Sequence, residues 1–455
     1  MSYEIVQGDA ARVVQRFPDN SFDSVVTDPP YGLRDIPADL LVKTLSEWLS
    51  GNRGFVPKGR GFMGKSWDEF VPPPAAWDEA FRVLKPGGYL LAFAGTKTVD
   101  LMGLSIRLAG FEIRDSLDWL YGSGFPKSRD IGKAIDSEAG AVRAKKRVPS
   151  AASAYSSNAG NTRPWMKQAA INGYREVDGD TPATDAAKQW SGWGTALKPA
   201  HEPVILARKP LATGRTVAAN VLEFGTGGVN IDGCRISASD EKPVRPSVKR
   251  DDNQVYGKGL GAGIQDEPEG RWPPNIILTH SPGCRTVLSC FADDEDAAVQ
   301  ECAADCPVAE MDRQSGVSKS QRQTGKRAGK HATDAYGDFA GQENVMMGHD
   351  DSGGASRFFP CFKYSAKAPK SERPVVTFPD GTTYSHATVK PVAVMCWLVK
   401  LVTPPGGRVL DLFAGSGTTG EACELEGFDS VLIENDPKSA LLIHKRMSKY
   451  EQGAA

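Results

Sequence analysis

The chain has 455 residues, and its 54 Lys and Arg against 56 Asp and Glu leave a net charge of −2. That length predicts two to three domains with ample core, and the charge balance excludes a histone-like basic binder while leaving local segregation of charge open. Hydrophobic residues at 40%, 48 Gly and 31 Pro without a short period, eight Cys and no run near the ~18 apolar residues of a membrane span exclude global disorder, collagen, a coiled coil, a disulfide scaffold and a membrane protein.

The N-terminus lacks the basic and apolar regions of a secretory signal, so a reducing, cytoplasmic setting is expected. Residues 1–121 alternate strand and helix patterns: strand Tyr3–Val6, helix Ala10–Phe17, strand Phe22–Thr27, helix Pro74–Leu84, strand Tyr89–Ala94, helix Lys97–Ala109 and strand Phe111–Tyr121. This order predicts a parallel sheet covered by helices. The pattern fades between Ser137 and Trp193, where Ser150–Thr162 reads as a mobile low-complexity loop. Glu202–Arg208 is a further strand.

From about 210 to 370 periodicity is weak and charge is segregated. Ala292–Asp312 carries eight acidic residues and no basic one, and Arg313–Lys330 carries six basic and no acidic ones, as solvated loops do. Order returns with helix Pro391–Val402, strand Arg408–Leu412, helix Thr418–Glu426, strand Ser430–Glu434 and helix Pro437–Met447. Seven strands, five before the irregular middle and two after, predict one α/β sheet with a large insertion.

Asp411-Leu-Phe-Ala-Gly-Ser-Gly-Thr-Thr-Gly420 follows a strand and opens a helix, with Gly415, Gly417 and Gly420 in a G-x-G-x-x-G pattern. The glycines permit a tight turn and close approach of a ligand to the backbone. Glu434 ends the next strand, placed to accept the hydroxyl protons of a ribose. A dinucleotide or S-adenosylmethionine fits this unit. A dinucleotide fold needs several further strands, yet only 35 residues follow Gly420. The remaining strands must come from the N-terminal half, so the strand order is permuted.

Thr27-Asp28-Pro29-Pro30-Tyr31 directly follows another strand. Each proline fixes its own φ and restricts the residue before it, so the loop is stiff. It presents one carboxylate, carbonyls without competing N–H groups, and one aromatic ring. A planar base with an exocyclic amine needs such acceptors and such a stacking face.

Together, Asp28-Pro-Pro-Tyr31 and Asp411-Leu-Phe-Ala-Gly-Ser-Gly resemble the amino-group DNA methyltransferases, which modify adenine N6 or cytosine N4, in the permuted β-class order and close to phage and prophage members. His386-Ala-Thr-Val-Lys-Pro391 is similar to that family's His-Pro-Thr-x-Lys-Pro segment, departing at Ala387. Gly8-Asp9 is similar to a segment near the cofactor adenine. The resemblance covers about 1–125, 195–210 and 355–455.

It implies a Rossmann-like, seven-stranded methyltransferase sheet, with 1–210 as its catalytic half (including a mobile insertion at about 137–195), 211–370 as a target-recognition insertion, and 371–455 as the cofactor half. It implies catalytic roles for Asp28, Pro29, Pro30 and Tyr31. It implies S-adenosylmethionine contacts from Asp9, Ala10, His386, Thr388, Lys390, Asp411, Phe413, Ala414, Gly415, Ser416, Gly417, Thr418, Thr419, Glu434 and Asn435. Double-stranded DNA is the expected partner, with base flipping onto Tyr31 and a cognate restriction endonuclease also in view. Monomer and homodimer stay open. Adenine N6 is favoured over cytosine N4. An RNA or protein-amide methyltransferase and a non-catalytic DNA-binding module are the competing readings. Cytosine-C5 chemistry would need a nucleophilic Cys, and the sole Pro-Cys pair, Pro360-Cys361, lies far from any strand–loop signal.

His280-x3-Cys284 and Cys302-x3-Cys306 form two ligand pairs with the chemistry of a structural zinc site, for which Cys290 is an alternate ligand. Arg357, Lys363, Lys367, Lys370 and Arg373 interleave with Phe358, Phe359, Phe362 and Tyr364, a pattern that suits a core strand and a phosphate-flanking face equally.

Overall fold

The computed structural model of the protein describes residues 2–59, 68–122, 124, 128–149, 172–236, 270–281, 283–288, 298–319, 323–326, 343–346, 352–362, 373–386 and 388–451. Ser150–Thr162, Cys290, Lys363, Tyr364, Lys367, Lys370 and Ala387 lie outside them.

Nine strands form the central sheet: β1 (Tyr3–Gln7), β2 (Phe22–Thr27), β3 (Leu84–Phe93), β4 (Glu112–Leu120), β5 (His201–Arg208), β6 (Ile276–Thr279), β7 (Cys361–Phe362), β8 (Arg408–Asp411) and β9 (Asp429–Glu434). Their spatial order is β1-β9-β8-β2-β3-β5-β4-β6-β7. All the strands expected from the sequence are present. β6 and β7, drawn from the irregular middle, extend the sheet at one edge. They were hidden because each is too short to show a period. β3 also starts earlier than expected, at Leu84, so Lys85-Pro86-Gly87-Gly88 lies within the strand; the register shifts where its start pairs with Phe22 and Ser24 of β2.

β1, β9, β8, β2 and β3 run parallel. β5 is antiparallel to both β3 and β4, while β6 and β7 follow β4 in parallel. The last two long strands of the chain therefore sit between its first two.

The parallel strands are apolar on both faces because helices cover both. Successive residues divide between two cores: Val25, Leu90, Ile205 and Leu410 face one, and Val26, Leu91, Val204 and Val409 face the other. The first core packs under helices Ala38–Leu49, Pro74–Val83 and Val99–Leu108, and the second under Val392–Val402 and Thr418–Glu426. Each fully buried aliphatic side chain contributes about 1.5–3 kcal/mol of transfer free energy.

The chain divides into two compact units, one made of Met1–Ser123 with Ala200–Ala455, the other of Gly124–Pro199. The second holds helices Ile131–Glu138 and Asp185–Gln189 and an antiparallel ribbon of Lys145–Pro149 with Tyr174–Asp178. Its centre is Asp136. That carboxylate accepts from the backbone N–H groups of Ala183 (2.9 Å) and Thr184 (3.0 Å), and from Thr184 Oγ1 (2.7 Å), and pairs with Arg143. Burial opposes its charge, yet these bonds hold its pKa well below the carboxylate range. One buried acid thus organises a segment in which the sequence shows little periodicity.

Candidate active site

β2 ends at the buried Thr27, and Asp28-Pro29-Pro30-Tyr31 leaves from the carboxyl edge of the sheet, where open α/β sheets place their ligands. The loop is held at its far end. Gly32 has φ +64, where a Cβ would approach the Phe70 backbone to 2.8 Å. Its N–H donates to Asp68 Oδ1 at 2.8 Å, the Leu33 N–H donates to Asp68 Oδ2 at 3.3 Å, and Thr98 Oγ1 donates to the Tyr31 carbonyl at 2.5 Å.

Four side chains meet above this loop. Lys390 Nζ lies 2.7 Å from Asp28 Oδ2, 3.2 Å from Glu202 Oε2 and 3.0 Å from Tyr31 Oη. Tyr31 Oη is 2.9 Å from both Asp28 Oδ1 and Glu202 Oε2, one proton shared between two acceptors. Lys390 is buried and also faces the Phe93 ring at 4.7 Å. Burial alone would pull its ammonium down, but Asp28 and Glu202 outweigh it and hold the pKa above the ordinary value. Burial, then the two carboxylates, push the Tyr31 phenol well up, so it stays protonated. The cluster has two carboxylates for one cation, an arrangement that fixes the direction of Asp28.

The glycine loop is adjacent, since β8 pairs with β2. Asp411 is buried; it accepts from Thr27 Oγ1 (2.6 Å), Thr419 Oγ1 (2.5 Å) and the Phe413 N–H (3.1 Å). Its oxygens thus tie the two loops together. Burial raises its pKa to about 6 despite those donors. Ser416 is braced from beneath by Arg446, whose Nε donates to the Ser416 carbonyl at 2.7 Å and which pairs with the buried Glu421. Glu434 accepts from the Gly415 N–H through Oε2 and from the Asp436 N–H through Oε1, both at 2.7 Å. Burial raises its pKa.

The fifteen residues expected around a cofactor thus separate. Ala10, Lys390, Asp411, Ala414, Ser416, Thr418 and Thr419 are buried, whereas Asp9, His386, Thr388, Phe413, Gly415, Glu434 and Asn435 keep exposed surface; Gly417 starts the helix at φ +80. Asp9 caps the first helix, its carboxylate accepting from the Arg12 N–H, and Gly8 donates to the Glu434 carbonyl at 2.9 Å. The His386 ring lies over the loop, 3.4 Å from where a Cβ of Gly415 would stand.

Glu202, Asp68, Thr98 and Arg446 escaped sequence reasoning. Only Glu202 carried a signal, an acid at the start of an apolar strand. Reading it required knowing that β5 is antiparallel, which brings its amino end to this edge. Elsewhere, His280, Cys284, Cys302 and Cys306 do converge. The interleaved rings of 357–362 divide: Phe359 and Phe362 pack against cores, while Phe358 is exposed beneath Arg357 (4.3 Å) and Arg271 (5.0 Å). Cys361 lies on the edge strand β7, away from the Asp28 loop in strand order.

A family model described as DNA methylase matches residues 22–445. The type II methyltransferase M.HindIII of Haemophilus influenzae is 24% identical over 241 residues, covering 50% of this chain and 64% of that protein. YubD of Escherichia coli is 33% identical over 110 residues, covering 24% of this chain and 38% of that protein. The chain thus spans less than two thirds of the length of either relative. Among solved structures, the PvuII DNA methyltransferase (cytosine-N4-specific) is 11% identical with a TM-score of 0.39, covering 98% of this chain and 86% of that one.

Proposed function

Since the chain belongs to the DNA methylase family, we propose that it transfers a methyl group from S-adenosylmethionine to the exocyclic amine of a base in double-stranded DNA, adenine N6 first. The observation that carries this reading is the Asp28–Tyr31–Glu202–Lys390 cluster, set one strand away from a glycine loop.

The residues present fit an adenosyl cofactor. Gly415 and Gly417 have φ of +55 and +80, and a side chain on Gly415 would fill the gap beneath His386. Glu434 retains lone pairs for ribose hydroxyls beyond the two N–H groups it accepts, and the N–H of Gly8, next to Asp9, donates to its backbone carbonyl. Bound there, S-adenosylmethionine supplies an activated methyl group on a sulfonium. An aromatic amine is a poor nucleophile because its lone pair is delocalised. Asp28 and the Pro29 carbonyl accept its N–H bonds and favour a pyramidal nitrogen. Tyr31 offers its ring to the extrahelical base, which a stacked duplex would otherwise conceal. Lys390 and Glu202 hold Asp28 in place, so orientation supplies much of the rate.

Sequencing DNA from a host expressing the chain, with modified-base detection, tests this. N6-methyladenine at a fixed site is expected. N4-methylcytosine would identify the alternative base, and unmodified DNA would defeat the reading. Asp28→Ala should abolish transfer with cofactor affinity kept within about threefold by calorimetry, because Asp28 addresses the amine.

Target recognition is assigned to about 211–370, a role supported by the exposed rings of Phe358, beside Arg357 and Arg271, and of Trp272, beside Arg235. A chimera carrying a relative's segment, with β6 and β7 kept in register, should acquire that relative's site. Retention of the original site would refute the assignment.

A further inference from the structure

His280 directly follows β6, and Cys306 precedes helix Pro307–Ser315. Their side chains meet those of Cys284 and Cys302, with all four ligand atoms within 4.8 Å of one another. His280 Nδ1 is 3.4 Å from both Cys302 Sγ and Cys306 Sγ. With Zn–S near 2.3 Å and Zn–N near 2.0–2.1 Å, a tetrahedral site sets nitrogen and sulfur roughly 3.5 Å apart and sulfur pairs roughly 3.8 Å apart.

We propose that this chain binds one structural zinc ion through His280 Nδ1 and the sulfurs of Cys284, Cys302 and Cys306, clipping residues 298–315 to the carboxyl edge of the sheet.

The local backbone is built for this. Each pair spans a tight turn, closed by Cys284 N–H to the Ser281 carbonyl and Cys306 N–H to the Ala303 carbonyl, both at 3.0 Å. The turns explain how ligands separated by three residues face one point. The Ala303 N–H donates to Cys284 Sγ at 3.2 Å, a bond that spreads thiolate charge and joins one pair to the other. The small core here has four buried members, Leu278, Cys284, Cys306 and Val308, packed by partly buried neighbours such as Leu120, Met311 and Phe359, and two of the four are ligands. With half of the buried members of so small a core serving as ligands, the metal adds a fastening to its apolar packing. Three thiols with one imidazole fill a tetrahedron and leave no place for water, which fits a structural role.

The position gives the clip a consequence. Thr279 Oγ1 donates to the carbonyl of Leu120 at the end of β4, and β4 pairs there with His201 and Glu202 of β5. Two inter-strand spacings, ~10 Å, therefore separate the start of the clip from Glu202. A Cβ on Gly122 would come within 2.8 Å of Pro307, so the clipped helix starts directly against this edge. The ion thus sets where the middle segment meets the edge that carries Asp28, while taking no part in the chemistry.

The test uses the full chain purified under reducing conditions without chelators. Elemental analysis should give about one zinc per chain. Cys302→Ser, at an exposed ligand position, should lower this about tenfold, while Cys361→Ser, an exposed thiol outside the cluster, should leave it unchanged. Cobalt(II) in place of zinc should give the intense d–d bands of a tetrahedral site with sulfur-to-metal charge transfer, lost in Cys302→Ser. S-adenosylmethionine affinity should stay within about twofold in that variant. Three results would overturn the proposal: wild-type chain without metal, equal metal in Cys302→Ser and wild type, or an octahedral cobalt spectrum. Iron in place of zinc would overturn the identity of the ion.

Discussion

Glu202 completes the anchoring of Asp28 without itself standing on the Asp-Pro-Pro-Tyr loop. It shares Lys390 with Asp28 and the Tyr31 proton with the same group. In Glu202→Gln the ammonium turns wholly to Asp28, which becomes a poorer acceptor for an amine. We expect kcat to fall at least about tenfold with cofactor affinity unchanged. Lys390 also loses a carboxylate that raises its pKa, so the alkaline limb of the pH–rate profile should move to lower pH. An unmoved limb would reduce Glu202 to packing. Asp411 offers a different test. Its folded pKa of about 6 exceeds the unfolded value near 4, so the folded chain holds a proton that the unfolded chain releases. Its contribution is full below about pH 4 and is lost as pH rises through 6, by up to about 3 kcal/mol. Denaturant titrations should show that fall, and Asp411→Asn should flatten it.

At the level of elements, the turn between β8 and helix Thr418–Glu426 is where we propose that the cofactor binds. Gly417 combines φ +80 with a Cβ position 2.9 Å from Ile443 Cγ2. Gly417→Val should weaken S-adenosylmethionine binding more than tenfold and destabilise the fold by about 1–3 kcal/mol, as calorimetry and thermal melts would record. This element was legible in advance because strand, glycines, helix and terminal acid are contiguous in sequence, and Asp28-Pro29-Pro30-Tyr31 was legible for the same reason. Glu202 and Arg446 were not, because each reaches the site from a distant element whose direction no local pattern reveals. β6 and β7 stayed hidden because four and two residues are too few to establish a period. Cys302 and Cys306 could be matched to His280 and Cys284 because soft ligands are rare enough to stand out.

For the whole molecule, the compact unit Gly124–Pro199 enters and leaves at one point. Leu120 pairs with His201, and the Tyr121 N–H donates to the Ala200 carbonyl at 2.8 Å. Replacing residues 123–199 with a four-residue turn should convert β4 and β5 into an ordinary hairpin. The shortened chain should fold with cofactor affinity within about threefold, as calorimetry and circular dichroism would show; an unfolded product would make the unit integral to the sheet. The threading of β8 and β9 between β1 and β2 acts on another timescale. During synthesis the first strands emerge with the edges meant for those partners unpaired, and nearly 400 further residues must leave the ribosome before the partners arrive. At about 5–20 residues per second that wait is roughly 20 to 80 s, during which open strand edges invite wrong pairings. A nascent chain released before residue 408 lacks the glycine turn altogether and has no partner strands to join β1 to β2. On the proposed function, a chain cut before residue 408 carries the Asp28 loop without the glycine turn beside it, and should transfer no methyl group.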